Sequence, residues 1–135
     1  MTDSTPRHEL ASTRLAAEAA LRVLDGQWTV AVLTALAGGR LSFVQLLAAI
    51  NDVDDTVGRA IHPVRLTRQV LSPVLHRLGA AGLVLRIEET GPPRSVRYEL
   101  THSGEDILSA LHSLATWAQH HHLGQLPGDP NGKVG

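Results

Sequence analysis

The chain contains no cysteine in 135 residues. Disulfide frameworks, thiolate metal sites and thiol redox switches are therefore all excluded. Aromatic rings are almost as scarce, with Phe43, Tyr98, Trp28 and Trp117 forming the whole set. Leu, Ala and Val supply the apolar content instead, which suits helices that approach each other closely and disfavours a large antiparallel sheet. The most apolar stretch, Trp28 to Ala37, is too short to span a bilayer and contains Thr29 and Thr34. Residues Thr2 to Glu9 are polar and no apolar run follows directly, so no signal peptide is read. A cytoplasmic protein with no membrane partner is expected. Catalytic carboxylate pairs, a glycine-rich phosphate loop and a nucleophile with an identifiable base are all missing as sequence signals, so neither enzymatic activity nor a cofactor is expected.

What is present is a segregated charge. The formal net charge is only −1. Yet from Arg65 to Arg97 the charged residues are Arg65, Arg68, Arg77, Arg86, Arg94 and Arg97 against Glu88 and Glu89, a segment charge of +4. Asp52, Asp54 and Asp55 form an acidic cluster just before it. Such segregation is what a local polyanion-binding face requires.

The length allows one domain with one real core. Residues 1–8 are expected to be disordered, 9–123 to form the domain, and 124–135 to be a disordered tail. From Glu9 to Leu24, Leu10, Ala17, Leu21 and Leu24 fall on one helical stripe, and Asp25-Gly26 ends it. A second helix is predicted over Trp28 to Ala37, stopped by Gly38-Gly39. Ser42 and Gln45 have capping-box spacing and open a short helix through Ala49, followed by a polar loop over Asn51 to Val64. Thr67 can cap the next helix, which runs to Ala81. Leu83 to Glu89 and Ser95 to Leu100 read as two strands around a Gly/Pro turn. Thr101 caps a last helix with Ile107, Leu111, Leu114 and Ala118 on one stripe. The chain is thus mainly α with a small β-hairpin wing. This is the element order of a winged helix-turn-helix with N- and C-terminal dimerisation helices.

Over Leu24 to Trp117 the sequence resembles the HxlR-type regulators, relatives of the MarR group. The resemblance is carried by Asp25-Gly26-Gln27-Trp28-Thr29, by Leu-Ser-Phe-x-x-Leu from Leu41 to Leu46, and by Val70-Leu71-Ser72 with Leu75 and Leu78. It continues through Gly82-Leu83-Val84, Val96-x-Tyr98-x-Leu100-Thr101, Gly104 and the late Trp117. It implies a homodimeric, DNA-binding transcriptional regulator in which the helix from Thr67 reads an inverted-repeat operator and the hairpin is the wing. Where many members carry a sensor cysteine near the start of the first helix, this chain has about Leu15, so that mechanism is excluded. The loop before the recognition helix is about ten residues longer than the usual short turn. Pro73 and Val74 stand where polar residues are common.

The candidate DNA-binding residues are Arg65, Thr67, Arg68, Gln69, Ser72, His76 and Arg77 around the recognition helix, with Arg94 and Arg97 in the wing. A wheel puts Leu71, Leu75 and Leu78 on the packed face and Gln69, Ser72, Pro73, His76 and Arg77 opposite, with Arg68 flanking. Arg suits guanine, Gln suits adenine, and Ser, Thr and the helix N-terminus suit phosphates. An ordinary solvated face is the plainer alternative. Pro73 leaves two options, a helix starting at Ser72 or a kinked one. Trp28 reads as core, with a ligand-stacking role as the alternative, and Trp117 as a wall of the dimer or of a ligand pocket. A small-molecule effector is thus a further partner to consider, and the second functional reading is a winged-helix scaffold that binds such a molecule at the dimer interface. Three successive residues, His120-His121-His122, cannot face one ion on a regular helix, and the Asp52 cluster lacks further ligand spacing, so no metal site is expected.

Overall fold

Three short helices cross over a core of Leu, Val and one Trp, and the rest of the chain is arranged around them. The computed structural model describes residues 5–58 and 62–126. Helix α1 spans Thr5–Leu24 and α2 spans Thr29–Ala35, continued by a tight turn at Leu36–Gly38. A short strand β1 (Leu41–Ser42) leads into α3 (Phe43–Thr56), and α4 spans Arg68–Ala80. Strands β2 (Val84–Glu89) and β3 (Ser95–Leu100) precede α5 (His102–His120). This is the predicted winged helix-turn-helix. Trp28, Val32, Leu33, Leu46, Ile50, Leu71 and Leu78 are among its buried side chains.

Helix α3 begins as its sequence dictates. Gln45 N–H donates to Ser42 Oγ at 3.2 Å, and Ser42 N–H donates to Gln45 Oε1 at 2.9 Å. It does not end at Ala49, however. Residues predicted as loop from Asn51 continue the helix to Thr56. The reason is tertiary. Asn51 is buried and its amide clamps Leu66, accepting from Leu66 N–H and donating to the Leu66 carbonyl, both at 3.0 Å. A residue with poor helix propensity is thereby held helical by two buried hydrogen bonds.

Helix α4 begins at Arg68, and Pro73 lies inside it. The option of a helix starting at Ser72 is therefore overturned. Proline has no N–H to donate, so the Gln69 carbonyl loses its helical partner, a cost of about 3 kcal/mol in a helix interior. Burial of Leu71, Val74, Leu75 and Leu78 on the opposite face offsets it. Val74, absent from the predicted apolar face, belongs to it.

The hairpin is larger than predicted, because β1 joins it to give an antiparallel sheet in the order β1-β3-β2. Leu41 pairs with Tyr98, and Arg86 pairs with Tyr98 from the other side. At the sheet's base Thr101 N–H donates to the Leu83 carbonyl at 3.0 Å. The Thr101 hydroxyl donates to the Gly82 carbonyl at 2.6 Å and accepts from Gly104 N–H at 3.0 Å, capping α5. Gly104 has to be glycine, since a Cβ there would run into the Leu83 carbonyl.

The terminal helices are packed differently. Helix α1 buries no residue, and Leu10, Leu15 and Leu21 stay exposed. Helix α5 buries Gly104 and Leu108 and rests Ile107 and Leu111 on the core, while Leu114 and Trp117 face outward. Helix α1 starts at Thr5, inside the segment expected to be disordered, and α5 ends at His120. Residues 1–4 and 127–135 of the two expected disordered termini lie outside the described residues. Among the described residues no helix is long and apolar enough to cross a membrane.

Candidate nucleic-acid interface

The exposed side of α4 carries Arg68, Gln69, Ser72, Pro73 and His76. They lie opposite the buried Leu71, Val74, Leu75 and Leu78, as a 3.6-residue period requires. Thr67 occupies the N-cap with extended backbone, yet its side chain makes no capping bond. The two first-turn N–H groups of Arg68 and Gln69 therefore depend on outside acceptors, as at any helix start without a side-chain cap. The Arg68 guanidinium lies 5.9 Å from the centre of the Phe43 ring, which steers the side chain along the start of α3.

Arg77 does not share this face. Its guanidinium turns back to the start of α2, donating to Thr29 Oγ1 at 3.0 Å and to the Gln27 carbonyl at 2.9 Å. Gly26 makes room for it, since a Cβ there would collide with the Arg77 guanidinium. The wheel placed Arg77 by its Cα direction, and a long flexible side chain found acceptors at the start of α2 instead, of which Thr29 is buried. Arg65 pairs with Asp55 at 3.5 Å.

The wing separates its arginines by strand alternation. Arg86 lies directly opposite Tyr98, and with Val84 both line a groove of about 400 Å³ against Ser72, Leu75 and His76 of α4. Arg86 also pairs with Glu88 at 3.2 Å. Hydrogen bonding to Tyr98, and then to Glu88, raises the Arg86 pKa above its ordinary value. Arg97 lies on the opposite face of the hairpin, opposite Ile87, and pairs with Glu89 at 3.4 Å. Arg94 stands exposed in the turn. Reading the charge run alone missed Arg86 as the wing residue that faces α4; the hairpin register, which sets Arg86 against Tyr98, is the signal that identifies it.

The two tryptophans are not brought together. Trp28 is buried at the start of α2 with a positive φ of 70°. Its ring stacks on His62 with centroids 3.8 Å apart. Trp117 is 54% exposed on α5 and stacks on His121. His121 and His122 fall beyond the end of α5, and no group of three His, Asp or Glu side chains among the described residues could hold a metal ion.

The HxlR-like helix-turn-helix family model matches residues 23–125. The HTH-type transcriptional regulator YtcD of Bacillus subtilis (strain 168) is 26% identical over 115 residues, covering 85% of this chain and 80% of YtcD. Among solved structures, a regulator described as of the MarR family from Enterococcus faecalis V583 superposes with a TM-score of 0.67 at 25% identity, over 80% of this chain and 86% of that one. Reduced YodB of B. subtilis superposes with a TM-score of 0.60 over 76% of this chain and 87% of that one, and at 20% identity shares the fold alone.

Proposed function

The chain belongs to the HxlR-like helix-turn-helix family of transcriptional regulators, which are not enzymes, and from that premise we propose that it binds an inverted-repeat operator in double-stranded DNA as a cytoplasmic homodimer. The observation that carries this reading is the pairing of two basic, hydrogen-bonding surfaces across one groove. Ser72 and His76 of α4 stand on one side and Arg86 of the wing on the other, while Arg68 and Gln69 continue the same exposed side of α4. Helix α4 enters the major groove with its early turns at the base edges, and its uncapped N-terminus and Thr67 meet phosphate. Arg94 at the wing tip reaches the neighbouring backbone. Arg97 serves as a secondary phosphate contact from the outer face, and Arg65 flanks the helix entry. Arg77 holds α4 to α2.

Dimerisation follows from the apolar surface that one protomer leaves uncovered, Leu10, Leu15 and Leu21 of α1 with Leu114 and Trp117 of α5. Two protomers joined there present two α4 helices about one DNA turn, roughly 34 Å, apart. Leu111 packs partly on the core, so Leu114→Glu is the cleaner interface variant. It is expected to sediment as a monomer with an unchanged fold; a dimer would remove this interface.

Selection from a random DNA pool tests the whole reading. An inverted repeat should be enriched, and Gln69→Ala should relax one base position per half-site, a loss of about 1–3 kcal/mol of discrimination. Arg94→Ala should weaken all sequences alike and lower the salt slope by about one unit. If no motif is enriched at moderate salt, the second reading takes over. In it a small molecule occupies the dimer interface, a role favoured by the open groove of about 480 Å³ between α1, α2 and α5.

A further inference from the structure

Most arginines around α4 and the wing are already bonded. Arg65 pairs with Asp55, Arg86 with Glu88 and Arg97 with Glu89. Arg77 donates to Thr29 and Gln27. Arg68 differs from these four. It has no acidic partner among the described residues, and its guanidinium carbon lies over the Phe43 ring, 5.9 Å from the centroid.

A ring face and a carboxylate hold an arginine in different ways. A carboxylate occupies N–H donors, whereas a π face attracts the cation and leaves the donors free. A free arginine must give up rotamer freedom when it binds, and a platform that restricts it beforehand lowers that cost. Both ends of this contact are anchored. Phe43 is the first residue of α3, behind the Ser42–Gln45 capping box, and packs partly on the core. Ser42 in turn pairs with Arg97 in the sheet. Arg68 opens α4 just after Leu66, which Asn51 clamps through two hydrogen bonds of 3.0 Å.

We propose that Phe43 is a positioning residue that presents the open fork of Arg68 to a guanine, whose O6 and N7 accept from it together. The proposal rests on operator binding by α4 and deepens it, naming the base that one side chain reads and the ring that aims it. Phosphate can be met by a point charge from many directions, while guanine demands a planar fork in one orientation. A ring that fixes the fork without occupying its donors serves the second need.

Phe43 is the sole phenylalanine of the chain, so it can be exchanged for trifluorophenylalanine with no other position altered. The fluorines drain charge from the ring face and leave its shape nearly unchanged, so the fold is kept. After selection from a random duplex pool, each base pair of the enriched repeat is changed in turn and affinities are measured. Arg68→Ala should lose about five- to 150-fold of discrimination at one G·C pair per half-site. The fluorinated protein should lose about two- to fivefold at that same pair, with its salt slope unchanged, and Phe43→Tyr should retain the preference. In Arg68→Ala the fluorinated ring should change nothing further. Undiminished discrimination in the fluorinated protein, a loss spread evenly over all base pairs, or an Arg68→Ala variant that loses salt slope without base preference would each overturn the proposal. In those three cases the enriched motif leaves operator binding standing, whereas failure of the wild type to enrich any motif removes both.

Discussion

Helices α2–α4 and the terminal helices α1 and α5 draw on the same Leu- and Ala-rich composition, yet they end in opposite situations. In the first group apolar side chains close on each other, and Leu33, Leu46 and Leu71 are all fully buried. In α1 the same residue type meets solvent, with Leu10 73% and Leu15 69% exposed. A helix with an apolar stripe and no partner gains little beyond its intrinsic propensity, because tertiary packing supplies most helical stability. The difference teaches that periodicity reports that a face must be covered, not what covers it. The core closes within one chain, while α1 leaves its apolar residues uncovered.

Substitutions can break or sharpen that contrast. The largest effect belongs to the core. Leu71→Ala should cost about 2–5 kcal/mol in chemical denaturation, whatever the protein concentration. Pro73→Ala should act in the other direction, raising stability by up to about 3 kcal/mol as a donor to the Gln69 carbonyl returns, a gain read from the thermal midpoint. Arg77→Met should cost about 1–3 kcal/mol by stranding the Gln27 and Thr29 acceptors, with the salt slope of DNA binding unchanged. A reduced slope would return Arg77 to the DNA face. The smallest effect is expected from Leu15→Ala in dilute protein, within about 0.5 kcal/mol. At high concentration the same substitution should become costly, because a partner that binds the folded state contributes by mass action. A loss independent of concentration would show that α1 is covered within its own protomer.

The fold was legible wherever local signals and tertiary demands agree. Ser42 with Gln45 and Thr101 with Gly104 mark helix starts through bonds between near neighbours, so spacing alone finds them. The second half of α3 was not legible, because what holds Asn51 in the helix is Leu66, fifteen residues away. The two-residue strand β1 is too short for alternation to show. On α4, the exposure of Arg68, Gln69, Ser72 and His76 was readable from helical period. Arg77 was not, since the period fixes a Cα direction and not the path of a long side chain. Arg86 and Arg97 could be told apart only through pairing, which a charge count does not contain.

The hydroxyl of Thr101 has a consequence for that last distinction. A β-hairpin whose strands slipped by one residue would exchange its two faces. Arg86 would then turn away from α4, and an outer-face residue would take its place. Thr101 blocks such a slip, since its N–H is committed to Leu83 and its hydroxyl to both Gly82 and Gly104. The phase of the hairpin is keyed at its base. Which arginine confronts α4 is decided by a residue that carries no charge and sits at the far end of the strand from the wing tip.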